Sequence, residues 1–245
     1  MEGEDSSSSS KLSSQMRVLL IRAVIITISG GITGGLGIVY LKEVLGADAM
    51  FLGSMTSLSS IVLLFTILFG GWFSDTFGRR KAFIIGNVLA CIPPLIFFLA
   101  WDESILIPAY IISAIASSFI APSYQYILRV STDRRSRGTS IAKIDMVTSS
   151  ISIIVPPLSA MVISLLGGIP VLRYVFLLQF VLILMATVYI FLKLNVPERY
   201  ANGSRLSARE FVRSMVEVYR ISRERKLHYW IFFVAMGPLV FTVVS

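Results

Sequence analysis

The chain has 245 residues, of which 55% are hydrophobic and 15% charged, and its mean hydropathy is +0.80. A soluble domain carries about 25% charged residues, so this composition excludes an ordinary soluble protein. The net charge of +8 does not indicate nucleic-acid binding, because the cations lie between long apolar runs, where membrane topology requires them. Those runs are unbroken rather than alternating, which excludes a transmembrane β-barrel and predicts an all-α membrane protein.

The chain opens with an acidic, serine-rich segment over residues 1–17, which is predicted to be a disordered tail. Residues 18–194 follow and contain six apolar runs, each long enough to cross a hydrocarbon layer of about 30 Å. We therefore predict a six-helix transmembrane bundle. Its spans are Val18–Leu41, Met50–Phe73, Ala82–Trp101, Ser104–Leu128, Ser140–Leu166 and Tyr174–Leu192.

Residues 195–228 then form a basic loop with a predicted amphipathic surface helix, and residues 229–245 begin a seventh span that is expected to be cut off. Of the 22 Lys and Arg residues, all but Lys42 and Arg173 fall on the side that holds the N-terminus. Because cytoplasmic loops are enriched in these residues, we predict that the N-terminus and the long loop are cytoplasmic. The expected location is the cell membrane, as a multi-pass protein.

The segment between the second and third spans, residues 71–81, contains one carboxylate, two glycines and three cations, more than membrane insertion requires. It resembles the loop between the second and third spans of the major facilitator superfamily, a family of secondary transporters. The family pattern is Gly-x-x-x-Asp-Arg/Lys-x-Gly-Arg/Lys-Arg/Lys. The matching positions here are Gly71, Asp75, Gly78, Arg79 and Arg80, whereas Thr76 departs from the pattern.

Two further segments resemble the same family. Arg137 and Gly138, preceded by Asp133, are similar to the acidic-x-x-x-Arg-Gly motif between the fourth and fifth spans. Residues 155–160 lie where many antiporters of the family carry Gly-Pro-x-Leu-Gly-Gly, but the glycines are replaced here. The resemblance implies the N-terminal half of a two-bundle transporter, built as a 3+3 inverted repeat, with the substrate site between the halves. The missing C-terminal half is then a partner of this chain.

In the family, the aspartate of the first motif helps to latch the two halves in the outward-open state. The resemblance assigns that role to Asp75. Its candidate partners on the same side of the membrane are Arg79, Arg80 and Arg137, and we predict that Arg137 forms the ion pair. The alternative is that these charges only set the topology.

Polar side chains recur with helical spacing along the first and fourth spans. The stripe on the first span consists of Arg22, Ser29, Thr33 and Tyr40, and that on the fourth consists of Tyr110, Ser113, Ser117, Ala121 and Tyr124. Since the family's first and fourth spans line the central cavity, these residues are candidates for binding substrate. A single serine in such a span more often bonds its own backbone or joins two helices. The prediction of a substrate cavity therefore depends on each stripe as a whole and not on any one residue.

Arg22 and Asp145 are ionisable residues within the predicted spans, both in the cytoplasmic half. One hypothesis is that they pair with each other, and another is that Asp145 exchanges a proton during transport. The alternative for Arg22 is that its side chain extends to the lipid headgroups.

The function predicted from these features is secondary active transport of a small solute by alternating access, which is open to proton coupling. The alternative is a channel or a helix bundle that does not transport. An enzyme is not expected, because the single histidine, His228, lies at the edge of the seventh span and no acidic cluster is present. No metal and no cofactor are expected. The hydroxyl and aromatic residues of the stripes suit sugars, organic anions, amino acids and drugs alike.

Overall fold

The computed structural model describes residues 2–132 and 137–195, with side chains from residue 14 onwards. The described residues form helices and turns, with no strand among them. The helices are α1 (Glu2–Glu43), α2 (Ala49–Phe77), α3 (Arg79–Ala90), α4 (Ile92–Leu99), α5 (Leu106–Val130), α6 (Arg137–Leu165) and α7 (Leu172–Lys193). Short 3₁₀ turns at Glu103–Ile105 and Ile169–Val171 precede α5 and α7.

Among the described residues, six helical segments are long and apolar enough to cross a membrane, which confirms the six predicted spans. They are Ser14–Glu43, Ala49–Phe77, Arg79–Leu99, Glu103–Val130, Arg137–Leu165 and Ile169–Lys193. Most of them extend beyond the predicted apolar runs into flanking charged residues, because an end turn can place its charges at the headgroups.

The structure differs from the sequence predictions at two places, the N-terminal segment and the connection between α2 and α3. α1 begins at Glu2, so residues 2–17, predicted to be a disordered tail, are helical here. The connection between α2 and α3 is the single residue Gly78, whereas the sequence suggested a loop over residues 71–81. The predicted basic loop beyond Asn195 and the predicted seventh span lie outside the described residues.

The packing of the spans has the pattern expected of a 3+3 repeat. α1, the first span, packs on α6 and α7, which are the fifth and sixth spans. α5, the fourth span, packs on α2 and α3, which belong to the second and third spans. The first span of each three-span half therefore packs on the second and third spans of the other half. This reciprocal arrangement is the one expected when the two halves are repeats of each other.

The closest packing between spans joins α2 and α5. A Cβ atom added to Gly70 would overlap the carbonyl oxygen of Ser118 and would lie 2.7 Å from its carbonyl carbon. One turn further along, the buried hydroxyl groups of Ser74 and Ser123 are 3.1 Å apart and share a hydrogen bond. Small residues allow such close approach in a membrane, where apolar burial alone does not drive helices together.

The third span is broken at Cys91, between α3 and α4. Pro93 and Pro94 follow in the first turn of α4, where proline is tolerated. Their missing N–H groups cannot continue the hydrogen bonds of α3, so the helix has to restart. In α6, by contrast, Pro156 and Pro157 lie inside one continuous helix.

Two side chains from other spans bind the C-terminal end of α4. The hydroxyl group of Tyr40 donates to the carbonyl oxygen of Phe97 at 3.0 Å. The guanidinium of Arg173 donates to the carbonyl oxygens of Phe98 and, at 3.4 Å, Ala100. The last carbonyl groups of a helix lack partners within it, so these contacts satisfy them and tie α4 to α1 and α7. In the turn that follows, hydrogen bonds from Ser104 hold the pKa of the Asp102 carboxyl below its usual value.

We expect Tyr40→Phe to destabilise the bundle by about 1 kcal/mol, because a buried carbonyl group loses its hydrogen-bond donor while the ring is kept. Thermal unfolding of the purified protein in detergent measures the change. Tyr174→Phe is the matched control, since Tyr174 is 60% exposed. Equal unfolding of the two variants would contradict the role of the Tyr40 hydroxyl.

Candidate functional site

A cavity of about 400 Å³ lies between α1, α4, α5 and α7. Its wall is mainly apolar, and Phe97 and Phe176 contribute stacked rings to it. The polar side chains in the wall are Thr33, Tyr110, Ser113, Ser117 and Gln179. No Asp, Glu, Lys or Arg is part of the wall that the described residues form.

The polar groups of the wall differ in what they can offer a ligand. Thr33 and Ser117 donate their hydroxyl protons to carbonyl oxygens of their own helices, at 3.0 Å and 2.9 Å, which leaves their oxygen atoms as acceptors. The Tyr110 hydroxyl and the Gln179 amide have no hydrogen-bond partner among the described residues. The cavity can therefore hold an apolar body and make a few directed hydrogen bonds to it.

The sequence stripes are brought together only in part. Thr33, Tyr110, Ser113 and Ser117 line the same cavity. Ser29 is buried between helices with an unpaired hydroxyl oxygen, and Tyr40 is buried against α4, so both lie outside the wall. Gln179 was missed, because a single amide in an otherwise apolar span produces no periodic pattern.

Arg22 and Tyr124, the two remaining polar residues of the stripes, form a separate cluster with the buried residues Phe83 and Asn87. The side-chain oxygen of Asn87 accepts hydrogen bonds from Nε of Arg22 at 3.2 Å and from Nη2 of Arg22 at 3.1 Å. The guanidinium carbon lies 4.9 Å from the ring centroid of Phe83 and 5.4 Å from that of Tyr124. We call these four residues the arginine layer.

The arginine layer lies just below the cavity, on the side of the N-terminal end of α1. Asn87 is three residues before Ala90 in α3, and Tyr124 is four residues after Ile120 in α5. Ala90 and Ile120 both line the cavity. At a rise of about 1.5 Å per residue, one helical turn separates the layer from the cavity wall.

Asp145 lies on an exposed position of α6 and does not pair with Arg22. The partner of Arg22 is Asn87, and no ion pair between Arg22 and Asp145 occurs in the described part of the chain. The predicted pairing of these two residues is corrected accordingly. Asp145 is nevertheless near enough to Tyr124 to interact with it electrostatically, so the carboxylate lies close to the arginine layer.

The motif between the second and third spans forms a compact arrangement at the junction of α2 and α3. Asp75, in the last turns of α2, makes an ion pair with Arg79, the first residue of α3. The guanidinium of Arg79 also lies 3.9 Å from the ring centroid of Tyr126. Gly78 has a φ of 102°, a conformation that favours glycine and explains the glycine at this position of the motif.

The remaining motif residues have other surroundings. Arg80 donates to the carbonyl oxygen of Phe191 at 3.4 Å. Arg137 donates to the carbonyl oxygen of Arg129 at 3.0 Å, and no ion pair joins it to Asp75 within the described ranges, so the predicted partner is replaced by Arg79. An added Cβ on Gly71 or Gly138 would meet nothing within 4 Å, which leaves these positions open to a further contact.

Comparison with known proteins agrees with this architecture. The sequence model of the Major Facilitator Superfamily matches residues 18–245, nearly the whole chain. The chain belongs to the Major Facilitator Superfamily. With its six apolar spans, it is a multi-pass integral membrane protein.

Two individual proteins match a short segment of this superfamily member. It is 35% identical over 57 residues to EfpA, described as an uncharacterized MFS-type transporter, from two Mycobacterium tuberculosis strains, CDC 1551 / Oshkosh and ATCC 25618 / H37Rv. The match covers 23% of this chain and 11% of the length of each relative.

Proposed function

We propose that this chain is the N-terminal bundle of a secondary transporter that moves a small solute across the cell membrane by alternating access. The observation that carries the proposal is the cavity between α1, α4, α5 and α7. It combines an apolar wall with a few hydrogen-bonding groups, as sites for small molecules do. The membership in a transporter superfamily supports it.

The cavity is open on one side, between α1 and α5. Gly34 and Ile38 on α1, and Ser113 and Ser117 on α5, line the cavity and are exposed in this bundle. In our proposal a second six-span bundle covers this side, so that a solute binds between the two halves.

The second and fifth spans also carry exposed hydroxyl groups. On α2 these belong to Ser54, Thr56, Ser57 and Ser60, and on α6 to Ser149, Ser150 and Ser152. Polar faces of spans are expected to contact protein or water rather than lipid. We assign these faces to the second bundle, with the N-terminus of the chain in the cytoplasm.

Within this function, Asp75 is proposed to latch the two halves on the cytoplasmic side. The carboxylate is half exposed and lies at the end of α2, beside the open position at Gly71. A helix of the second bundle could place its N-terminus against this carboxylate, where the helix dipole favours a negative charge. The local pair with Arg79 positions the carboxylate for that contact.

Reconstitution of the full-length gene product into liposomes tests the transport function. We expect uptake that saturates with solute concentration and responds to an imposed ion gradient. A flux that rises in proportion to concentration at near-diffusional rates would indicate the channel alternative. No flux of any solute tested would support a bundle that does not transport.

Proton coupling is proposed to depend on Asp145, which lies near the arginine layer. We expect Asp145→Asn to abolish uptake driven by a pH gradient while leaving exchange of solute between equal concentrations intact, because the variant cannot bind and release a proton. Uptake into liposomes with and without a pH gradient measures both activities. Glu43→Gln, at an exposed acid near the other end of the bundle, is the control. Unchanged gradient-driven uptake in Asp145→Asn would exclude this role.

A further inference from the structure

Arg22 is a buried cation that no carboxylate neutralises. Its side chain is 8% exposed, and within the described ranges no acidic oxygen lies within 4.0 Å of its guanidinium. A buried charge is costly unless it is paired, so a side chain in this position calls for an explanation.

The partners of Arg22 are all neutral and use only part of its capacity. A guanidinium has five N–H donors, and its hydrogen bonds from Nε and Nη2 both go to one oxygen of Asn87. The amide nitrogen of Asn87 donates to the carbonyl oxygen of Phe83 at 2.7 Å. That bond fixes the orientation of the amide, with its oxygen toward Arg22. The remaining N–H groups of Arg22 stay free for an additional acceptor.

The rings of Phe83 and Tyr124 hold the guanidinium from the side without neutralising it. Contacts between a cation and a ring face favour the charged form and restrict its orientation. Arg22 is therefore held as a cation with free donors beside Asn87. Asn87 lies one helical turn from a cavity that has no charged side chain in its described wall.

We propose that the substrate is a small organic anion. Its carboxylate or phosphate oxygens bind the free N–H groups of Arg22, and its apolar body lies in the near end of the cavity, beside Ala90 and Ile120. Arginine suits this role because its planar fork of donors matches the geometry of an oxyanion. The proposal rests on the transport function proposed above and names the substrate class for the same cavity.

The test is binding of matched small molecules to the purified full-length protein in detergent, measured by titration calorimetry. Benzoate and phenyl phosphate supply the anionic group, and benzyl alcohol and benzylamine carry the same ring without it. We expect the two anions to bind, and the neutral and cationic compounds to bind at least about tenfold more weakly, since they lose a charge-assisted hydrogen bond.

Variants then locate the anion. Arg22→Gln is expected to weaken benzoate binding roughly 10- to 100-fold, and Arg22→Lys to lose less because it keeps the charge. Asn87→Asp is the sharper variant, because it keeps the size of the side chain and supplies Arg22 with a permanent counter-ion. It is expected to weaken benzoate binding to the same degree while the protein still unfolds at or above the wild-type temperature. Arg17→Gln, at an exposed cation of the same helix, is the control and leaves binding unchanged.

The outcomes separate this inference from the transport function. Benzyl alcohol binding as tightly as the anions, no binding of either anion, or unaltered benzoate binding in both Arg22→Gln and Asn87→Asp would overturn the anion site. Saturable uptake of a neutral solute that neither anion inhibits would overturn it too and leave the transporter standing. Anion binding that depends on Arg22, without saturable uptake of any solute, would support the site and contradict the transport function.

Discussion

The Gly70→Val variant is expected to lose the packing of α2 against α5 and to fold poorly. The added Cβ would overlap the backbone of Ser118, and a backbone carbonyl group cannot rotate out of the way as a side chain can. Overpacking of this kind costs about 1–3 kcal/mol or more, and a branched side chain adds to the overlap. Thermal unfolding in detergent and the yield of folded protein from membranes measure the effect.

Gly53→Val is the control for Gly70→Val. Gly53 lies on the same helix, and an added Cβ there would meet nothing within 4 Å. We expect this variant to unfold close to the wild-type temperature. A second test uses Ser74→Cys together with Ser123→Cys, in a Cys91→Ala background, because the two native hydroxyl groups touch. Failure of this pair to form a disulfide, together with normal folding of Gly70→Val, would contradict the observed crossing of α2 and α5.

The second large effect is expected for Asp75→Asn, which removes a charge from the proposed latch. The ion pair with Arg79 joins half-exposed and exposed groups on a helix surface, so its loss costs at most about 1 kcal/mol of folding stability. Transport is expected to fall at least about tenfold, which corresponds to a shift of 1.4 kcal/mol or more between the two access states. Uptake into liposomes and thermal unfolding of the same preparation measure the two effects separately.

A charge exchange distinguishes a latch from a local support. Asp75→Arg combined with Arg79→Asp keeps an opposite-charge pair at the same two positions. We expect no recovery of transport, because the proposed latch needs a negative charge at the end of α2. Recovery would show that the pair acts only by holding α2 and α3 together. Glu43→Gln is the control, since it removes an acid elsewhere and is expected to transport normally.

The spans could be predicted from the sequence because membrane crossing depends on length and apolarity, which are local properties. The ends were less predictable. Apolar windows stop at the first charges, whereas α2 continues through Asp75 and α6 starts at Arg137. Only the folded chain shows that Gly78 alone connects α2 and α3, since a positive φ at one glycine is enough for that turn.

Only those site residues that recur with helical periodicity could be predicted from the sequence. Spacing grouped Thr33, Tyr110 and Ser117 on the polar stripes of two spans, and these residues line one cavity. Spacing could not show that Tyr40 caps α4, or that Asn87 rather than Asp145 binds Arg22. Those contacts depend on how three spans pack, which no pattern within one span contains.

The same limit applies to the motif residues. Sequence similarity indicated a latch role for Asp75 but gave no partner. The side of the membrane left Arg79, Arg80 and Arg137 as candidates, and we predicted Arg137. The structure pairs Asp75 with Arg79 instead, because the one-residue turn at Gly78 brings the first residue of α3 next to the last turn of α2. Arg137 instead binds a carbonyl oxygen near the end of α5.

The central claim, that the cavity is reached from each side of the membrane in turn, is tested most directly by cysteine labelling. Cys91 is the only native cysteine and is buried, so Cys91→Ala gives a clean background. Ser117→Cys then reports on the cavity, and Val181→Cys, an exposed position of α7 outside the cavity wall, is the control. A membrane-impermeant maleimide is added outside intact cells or outside inverted vesicles.

We predict that Ser117→Cys reacts from both sides, that Val181→Cys reacts from neither, and that adding Asp75→Asn slows the reaction from outside while speeding it from the cytoplasm. A reciprocal change of this kind follows only if one cavity alternates between two openings. Labelling of Ser117→Cys from one side only, or rates that do not change in opposite directions with Asp75→Asn, would contradict alternating access.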